Sequence, residues 1–436
     1  MTGFDLDSVH RKILESGFDE AALEQRASRV EQIRFSRNLK DLYNDWEETS
    51  LVIFASRGKR TVTTVLKDAS KLGESIDRLR DIATKIPDNP VYGGLNPIRQ
   101  ETPVATDFPA KEFDLQDMAA GMIDSAVNNG AERTSGVLYN RRNRITVKTN
   151  YNECSFETGG VEAVIRSFNG EWTGQEGRHF GLSYRLDSKT LEDIGRESTN
   201  NLNTARATHD IEPGKFNVLM SPSVIGNLIS YSSGFLSYYA VEAGLSCFAN
   251  SMDRRVSSDA FTLVDDPLDS SGVGYRLCDD EGTLTRKNTL VESGILRKFM
   301  HSHSTSLRGG TETTGNAGIL SPRAWQLKIL PGKRTSEQML SELDEGLLIN
   351  NCWYTRYQDY RNGVFSTVPR DGAFYIRKGE IVGAVKGIRI SDSIPNVLSG
   401  ITGISSDTKN VKWWEEISAS NMPSVLTENI GISRAF

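Results

Sequence analysis

The chain has 436 residues, of which 37% are hydrophobic and 25% charged, and its formal net charge is −6. That length exceeds what a single hydrophobic core usually fills, so two domains are expected. The acidic balance leaves no electrostatic footprint for nucleic acid or an anionic membrane, and the ordinary apolar content points to a soluble globular protein.

The opening residues, MTGFDLDSVHRK, carry no apolar run and predict no signal peptide. A first helix is expected over residues 5–16, with Val9, Ile13 and Leu14 on one face and Gly17 as its stop. Residues 21–46 mix charge with apolar positions and fit strand or helix. LVIFAS at 51–56 and residues 61–65 read as the arms of a β-hairpin around Gly58. Helices follow at 72–86 and 114–129, separated by a polar loop at 92–109. Strands are then expected at 135–139, 144–149, 154–158 and 161–168, with turns at 150–152 and Gly159-Gly160. A polar helix at 191–205 leads to a boundary at HDIEPG, residues 209–214. An N-terminal α+β domain of helices on an antiparallel sheet, residues 1–210, fits this order.

Beyond the boundary lies FNVLMSPSVIGNLISYSSGFLSYYAV, residues 216–241, without a single charge. Its six serines, two asparagines, proline and two glycines argue against a membrane span. It reads as a short strand, then a buried helix with Ser221 as N-cap and Pro222 at the first helical position. Val224, Leu228, Tyr231 and Phe235 form its apolar stripe. The remainder turns to strands, expected at 261–264, 289–293, 295–300, 324–330, 347–352, 363–367, 372–376, 380–385 and 424–430. One further helix starts at a capping box, Thr335-x-x-Gln338, and ends at Gly346. Residues 211–436 are thus expected to form a mostly-β domain around one buried helix, and the whole chain is α+β.

The chemistry-bearing residues are sparse. Cys154, Cys247, Cys278 and Cys352 are scattered without a CxxC pair and read as reduced thiols of a cytoplasmic protein. His301 and His303 stand two apart, which on an extended chain puts them on one face, as a metal pair or as a solvated strand end. Asp265-Asp266 and Asp279-Asp280 suit a hard cation or an acid/base pair. They equally suit a strand cap before proline and an acidic surface turn. These six residues are the candidate cleft residues. No Gly-x-Ser-x-Gly elbow or phosphate loop occurs, and none of the five histidines precedes a glutamate. The residues alone name no catalytic apparatus.

Several pieces nevertheless occur in a specific order: PGKFNVLMSP (213–222), FTLVDDP (261–267), CDDEGTLTRKNTLVESGILRKFMHS (278–302) and TTGNAG (313–318). GVFS (363–366), FYIRKGEIVGAVKGIRISDSI (374–394) and MPSVLTENI (422–430) complete them. In these pieces the chain resembles the TldD/PmbA family, loosely up to about residue 210 and more closely from Pro213 onward. TldD-type members resemble zinc metalloproteases, with an HExxxH-type motif in the helix after the VLxSP strand and a cysteine near the C-terminus. Two histidines there hold zinc and a glutamate positions the water that the metal activates. Laid onto this chain the motif falls on residues 230–235. Gly234 agrees, but Ser230 and Phe235 stand at the ligand positions and Tyr231 at that of the base.

The resemblance is therefore closest to the PmbA (TldE) branch, which lacks the metal site. It implies a non-catalytic subunit without zinc, its partner either a TldD-type protein that supplies the metal or a second copy of itself. It further implies a cytoplasmic peptidase assembly that trims peptides and leader segments, with a peptide substrate and no nucleic acid or membrane partner. The family's link with control of DNA gyrase then implies a protein substrate. An active zinc metallopeptidase drawing ligands from the six cleft residues, and a scaffold unconnected with proteolysis, are the alternatives. Phe235 and Tyr231 are large enough to fill a vacated metal cavity.

Overall fold

The computed structural model describes residues 3–102, 108, 114–204, 207–412 and 414–435. Parts of two expected elements, 103–107 and 109 of the loop and 205 of the polar helix, lie outside the described residues. Asp5 caps α1 (Leu6–Glu15), accepting the Ser8 N–H, and Val9 and Ile13 turn inward. The stretch that fitted strand or helix is a long hairpin of β1 (Glu20–Ser36) and β2 (Leu39–Arg57), and β3 (Arg60–Leu66) follows. Next come α2 (Leu72–Lys85) and α3 (Leu115–Asn128), then β4 (Arg133–Thr149), β5 (Glu153–Asn169), β6 (Trp172–Gly181) and α4 (Ser188–Asn203). The strands form an antiparallel sheet in the order β3-β2-β1-β4-β5-β6.

Four short strands were expected where β4 and β5 run unbroken. The polar residues 140–143 stay in register because Arg141 pairs with Glu162 at 2.5 Å and Arg142 with Glu157 at 2.6 Å across the strands. Gly159 and Gly160, at φ 133° and 141°, are not a turn. A Cβ on them would stand 2.2 Å from the Arg141 carbonyl oxygen and 1.8 Å from that of Phe180. Glycine here permits close approach of neighbouring strands.

One face of the sheet buries Leu23 and Ile53 under α1 and α2, and Ile33, Leu138 and Ile165 under α3 and α4. A separate cluster joins Val147, Cys154 and Phe156 to Tyr275, Leu277 and Cys278 of the second half.

That half begins with β7 (Gly214–Met220), α5 (Pro222–Ser232), a tight turn at Ser233–Leu236 and α6 (Tyr238–Glu242). Then follow β8 (Leu263–Asp265), β9 (Asn288–Glu292), β10 (Ile295–Leu296), α7 (His303–Gly309), β11 (Gln326–Ile329) and α8 (Ser336–Ser341). The chain closes with β12 (Glu345–Ile349), β13 (Cys352–Asp359), β14 (Val364–Pro369), β15 (Ala373–Arg377), β16 (Glu380–Ala384), β17 (Ile388–Ser393), α9 (Ile394–Ser399), β18 (Ile401–Val411) and β19 (Ala419–Arg434). Among the described residues these strands make one 13-stranded mixed sheet. Its hub is β19, parallel to β11 and antiparallel to β7, β17 and β18.

The fold is α+β, as the sequence indicates, but the second half holds more helix than expected. The strand foreseen to Met300 stops at Leu296. Beyond it Met300 bonds the turn before α6 instead, its N–H reaching the Leu236 carbonyl at 2.8 Å and its carbonyl the Tyr238 N–H at 3.0 Å. Ser302 then caps α7 through a capping box that uses Thr305 where Glu or Gln is usual. No helix among the described residues is long and apolar enough to cross a membrane.

Helix α5 sits in the middle of the larger core. The Ser221 hydroxyl accepts the Val224 N–H, and Pro222 occupies the first turn. Val224, Ile225, Leu228 and Ile229 are all buried, each contributing about 1.5–3 kcal/mol by leaving water. The apolar surface wraps the helix rather than forming one stripe, because β7, β13, β18 and β19 all contact it.

Candidate functional site

The C-terminal end of α5 carries the positions where a relative's zinc motif falls. Ser230 is fully buried; its hydroxyl accepts the Ser418 N–H at 2.9 Å and donates to the Ser418 carbonyl at 3.2 Å. That pair pins α5 to the chain entering β19. Phe235 is 3% exposed, edge-on to Tyr357 with ring centres 4.9 Å apart and to Tyr360 at 6.3 Å. Tyr231 is half-buried, its phenol accepting from Arg356 at 3.4 Å and its pKa raised by burial. Around Gly234 there is open space where a side chain would go. These residues do not fit a zinc ion. Ser230 has both its hydrogen-bonding directions used, Phe235 offers no donor atom, and Tyr231 is held by a guanidinium.

Beside Tyr231 lies a group of residues that the sequence reading passed over. Both oxygens of the buried Glu415 carboxylate accept the Tyr354 N–H at 3.0 Å, and Arg356 stands 3.7 Å from the same carboxylate. Tyr354 has a φ of 60° and lies where the β13–β14 register slips. A non-glycine residue held in that region is strained, and such strain is characteristic of functional sites. Trp353, Tyr354 and Trp414 stand 6.3–6.5 Å apart, with Arg370 over the first two rings at 5.2 and 5.5 Å. From β5 Arg166 covers Trp353 at 4.8 Å and pairs with Asp371 at 2.6 Å. Tyr354 is 45% exposed and Trp414 65%. One signal was available: neighbours on a strand point to opposite faces, so Trp353-Tyr354 had to leave one large ring outside the core.

Asp279 and Asp280, for which an acidic surface turn was one reading, are buried instead, and so is Asp265 at the end of β8. Asp265 accepts the N–H groups of Trp325 and Gln326 and the Asn316 side chain at 2.6–3.0 Å. Asp279 accepts the N–H groups of Glu281, Thr283 and Ala317, and Asp280 that of Ile319. Asp265, Asp279 and Asp280 thus fasten one loop, the TTGNAG segment and its continuation, by its backbone. Asp266 pairs with Lys328 at 3.2 Å. His301 is no surface residue either; its ring packs on Tyr238 at 4.5 Å, and burial lowers its pKa. His303 starts α7 and gives its N–H to Glu281 at 2.9 Å. Among the described residues no three of His, Cys, Asp and Glu come together as a metal centre.

Burial pushes the Asp265 carboxyl up to about 6 and that of Asp279 up to about 7, against the N–H donors that favour their ionised forms. Burial and then the charge of Asp279 raise Glu281 well above the usual carboxylate range. The folded chain therefore holds protons that the unfolded chain has released, so stability is lost as pH rises through these values. Histidines lowered by burial act in the opposite sense, but only below about pH 6.5, where the unfolded imidazoles still charge. From about pH 6.5, where the histidines no longer oppose it, to about pH 7, the value of Asp279, stability is expected to fall, by at most about 1.4 kcal/mol per unit for each retained proton. Denaturant unfolding across that range measures it, and Glu281→Gln is expected to flatten the slope. A level or rising wild-type profile contradicts the expectation.

The family-model match falls on the half of the chain that carries α5. A family model described as the PmbA/TldA metallopeptidase C-terminal domain matches residues 213–434. A metalloprotease of Methanocaldococcus jannaschii is 29% identical over 204 residues, covering 44% of this chain and 44% of that protein. The match thus spans less than half of that relative. Two crystal structures share the fold over nearly the full length. One is a Thermotoga maritima protein proposed to modulate a DNA gyrase, with a TM-score of 0.83, 20% identity and 98% and 99% of the two chains covered. The other is TldE from Thermococcus kodakarensis, with a TM-score of 0.81, 19% identity and the same coverage.

Proposed function

The chain belongs to the PmbA/TldD metallopeptidase family, and from that premise we propose that it is a PmbA (TldE)-type subunit of a peptide-trimming assembly, itself without zinc and non-catalytic. The observation that carries the proposal is the fate of the motif helix. Ser230 is tied to the Ser418 backbone and Phe235 is sealed under Tyr357 and Tyr360, so no imidazole pair is available to hold a metal. In this reading zinc enters the assembly with a TldD-type partner. This chain supplies shape and a peptide-contacting surface, for which the exposed rings of Tyr354 and Trp414 and the stacked Arg370 are suited. Division into units of 1–210 and 211–436, cytoplasmic residence and pairing as a dimer belong to the same reading.

Metal analysis and a peptidase assay test it together. The purified chain is expected to carry no stoichiometric zinc and to cleave no peptide alone. A TldD-type protein is expected to co-purify with it and to confer activity that chelator removes. Stoichiometric zinc on this chain, with chelator-sensitive cleavage by the chain alone, overturns the proposal. Failure to bind any TldD-type protein or to self-associate favours the scaffold alternative.

A further inference from the structure

Away from α5, a cavity of about 360 Å³ opens between the first sheet and the loops around α7. Its size lies within the range of about 300–1,000 Å³ usual for small-molecule sites. Ala22, Phe54 and Thr63 are successive cross-strand neighbours on β1, β2 and β3, and together they line one wall. Ile319 and Pro322 line the other. Phe54 and Tyr92 stand 5.6 Å apart at 53°, and Tyr239 of α6 closes the rim.

The charged groups facing this space are unequal. The Arg308 guanidinium is taken by both Glu242 oxygens at 2.6 Å and by the Ser304 carbonyl at 3.0 Å. Asp280 is neutralised by Arg276 at 2.5 Å and Arg323 at 3.6 Å. Glu281 differs from both. One of its oxygens accepts the His303 N–H, and no described residue donates to the other. A single carboxyl with a free oxygen, set among three aromatic rings and apolar walls, suits an ammonium group. A bound ammonium group draws the Glu281 carboxyl, which burial and the charge of Asp279 otherwise keep protonated, toward its ionised form, and the ring faces stabilise the cation further once it is desolvated. Anions meet only carboxyls and a guanidinium already paired, and a neutral donor can satisfy the Glu281 oxygen but gains nothing from charge.

We infer that this cavity is a binding site for a small organic ammonium ion with an apolar body, held by Glu281 and caged by Phe54, Tyr92 and Tyr239. The inference does not rest on the peptidase reading, since the cavity and the α5 surface share none of the residues named for either. Calorimetric titration of the full chain with 2-phenylethylamine, beside its neutral isostere 2-phenylethanol, tests it. The amine is expected to bind saturably and at least about tenfold tighter than the alcohol. Glu281→Gln, which keeps an acceptor for the His303 N–H, is expected to erase that difference while leaving the alcohol unchanged. Tyr239→Ala, at a site 42% exposed and therefore tolerant, is expected to weaken the amine severalfold and serves if the first variant fails to fold. Equal binding of the two probes, no saturable binding of the amine, or amine binding indifferent to Tyr239→Ala overturns the inference.

Discussion

Replacing Arg276 with methionine is expected to destabilise the chain by about 3–5 kcal/mol at neutral pH, the usual cost of stranding buried charges. The guanidinium is 4% exposed and bonds Glu24 at 2.8 Å, Asp280 at 2.5 Å and the Cys278 carbonyl at 2.6 Å, while stacking 4.3 Å above Trp325. Glu24 lies on β1 and Arg276 beyond β8, so the triad fastens the first sheet to the second half. Burial alone raises the Glu24 carboxyl, yet the charges of Arg276 and then Arg26 overcome it and hold the group at about 2. In the native chain this contribution is present above the unfolded carboxylate pKa and is lost only as pH falls toward 2. Methionine keeps the volume and removes the charge, which leaves Glu24 facing Asp280. In the variant the folded form retains a proton that the unfolded form releases, so its deficit grows with pH from about 4.5 upward. Urea unfolding at pH 4.5 and 7.5 separates this from lost packing, which has no such dependence. Adding Glu24→Gln is expected to return part of the loss, the mark of an interaction between the two positions. A deficit under 1 kcal/mol, identical at both pH values, sinks the account.

What could be read in advance depended on where the ordering information lies. The cap of α5 is local, Ser221 followed by Pro222, and it stands in the structure as read. The β1–β2 hairpin is not local in that sense. EAALEQRASRVEQIRF carries charges through its middle because much of that stretch is solvated, so its alternation is blurred and only pairing with β2 and β4 makes it a strand. Gly159-Gly160 has the composition of a turn, and what excludes one is the proximity of Arg141 and Phe180 on neighbouring strands. The positions 230–235 could be singled out only because a relative's motif was available to lay over them. No spacing in the chain marks Ser230 as special. The pair Trp353-Tyr354 hints at one exposed ring, but its meeting with Arg370 and Trp414 was out of reach for the opposite reason. They converge from separate segments, and the carboxylate that fixes Tyr354 comes from residue 415, 61 positions away.

Phe235→Ala is expected to destabilise by about 3–5 kcal/mol, in the range for buried aromatic residues cut back to a methyl group. Two terms contribute. The first is the lost burial of the ring, which is 3% exposed and belongs to the main core with Val224, Leu228 and Phe365. The second is the void left opposite Tyr357 and Tyr360, whose rings now meet its edge at 4.9 and 6.3 Å. Collapse into the void is restricted because the Phe235 carbonyl accepts the Ser246 hydroxyl at 2.6 Å and the turn bearing it is bonded to Met300. Phe235→Leu retains most of the volume and is expected to cost under about 1.5 kcal/mol. Tyr231→Phe, at a half-exposed phenol with one long hydrogen bond, is expected to stay within about 0.5 kcal/mol of the parent. The contrast between Phe235 and Tyr231 is what decides the matter. A plug in place of a metal ligand must be costly to remove, whereas a residue lining an open groove need not be. Should Phe235→Ala unfold at the same denaturant concentration as the parent, the ring is not sealing the core. The position would then be open to solvent and ligand, and the argument that this helix has exchanged metal chemistry for packing would lose its support.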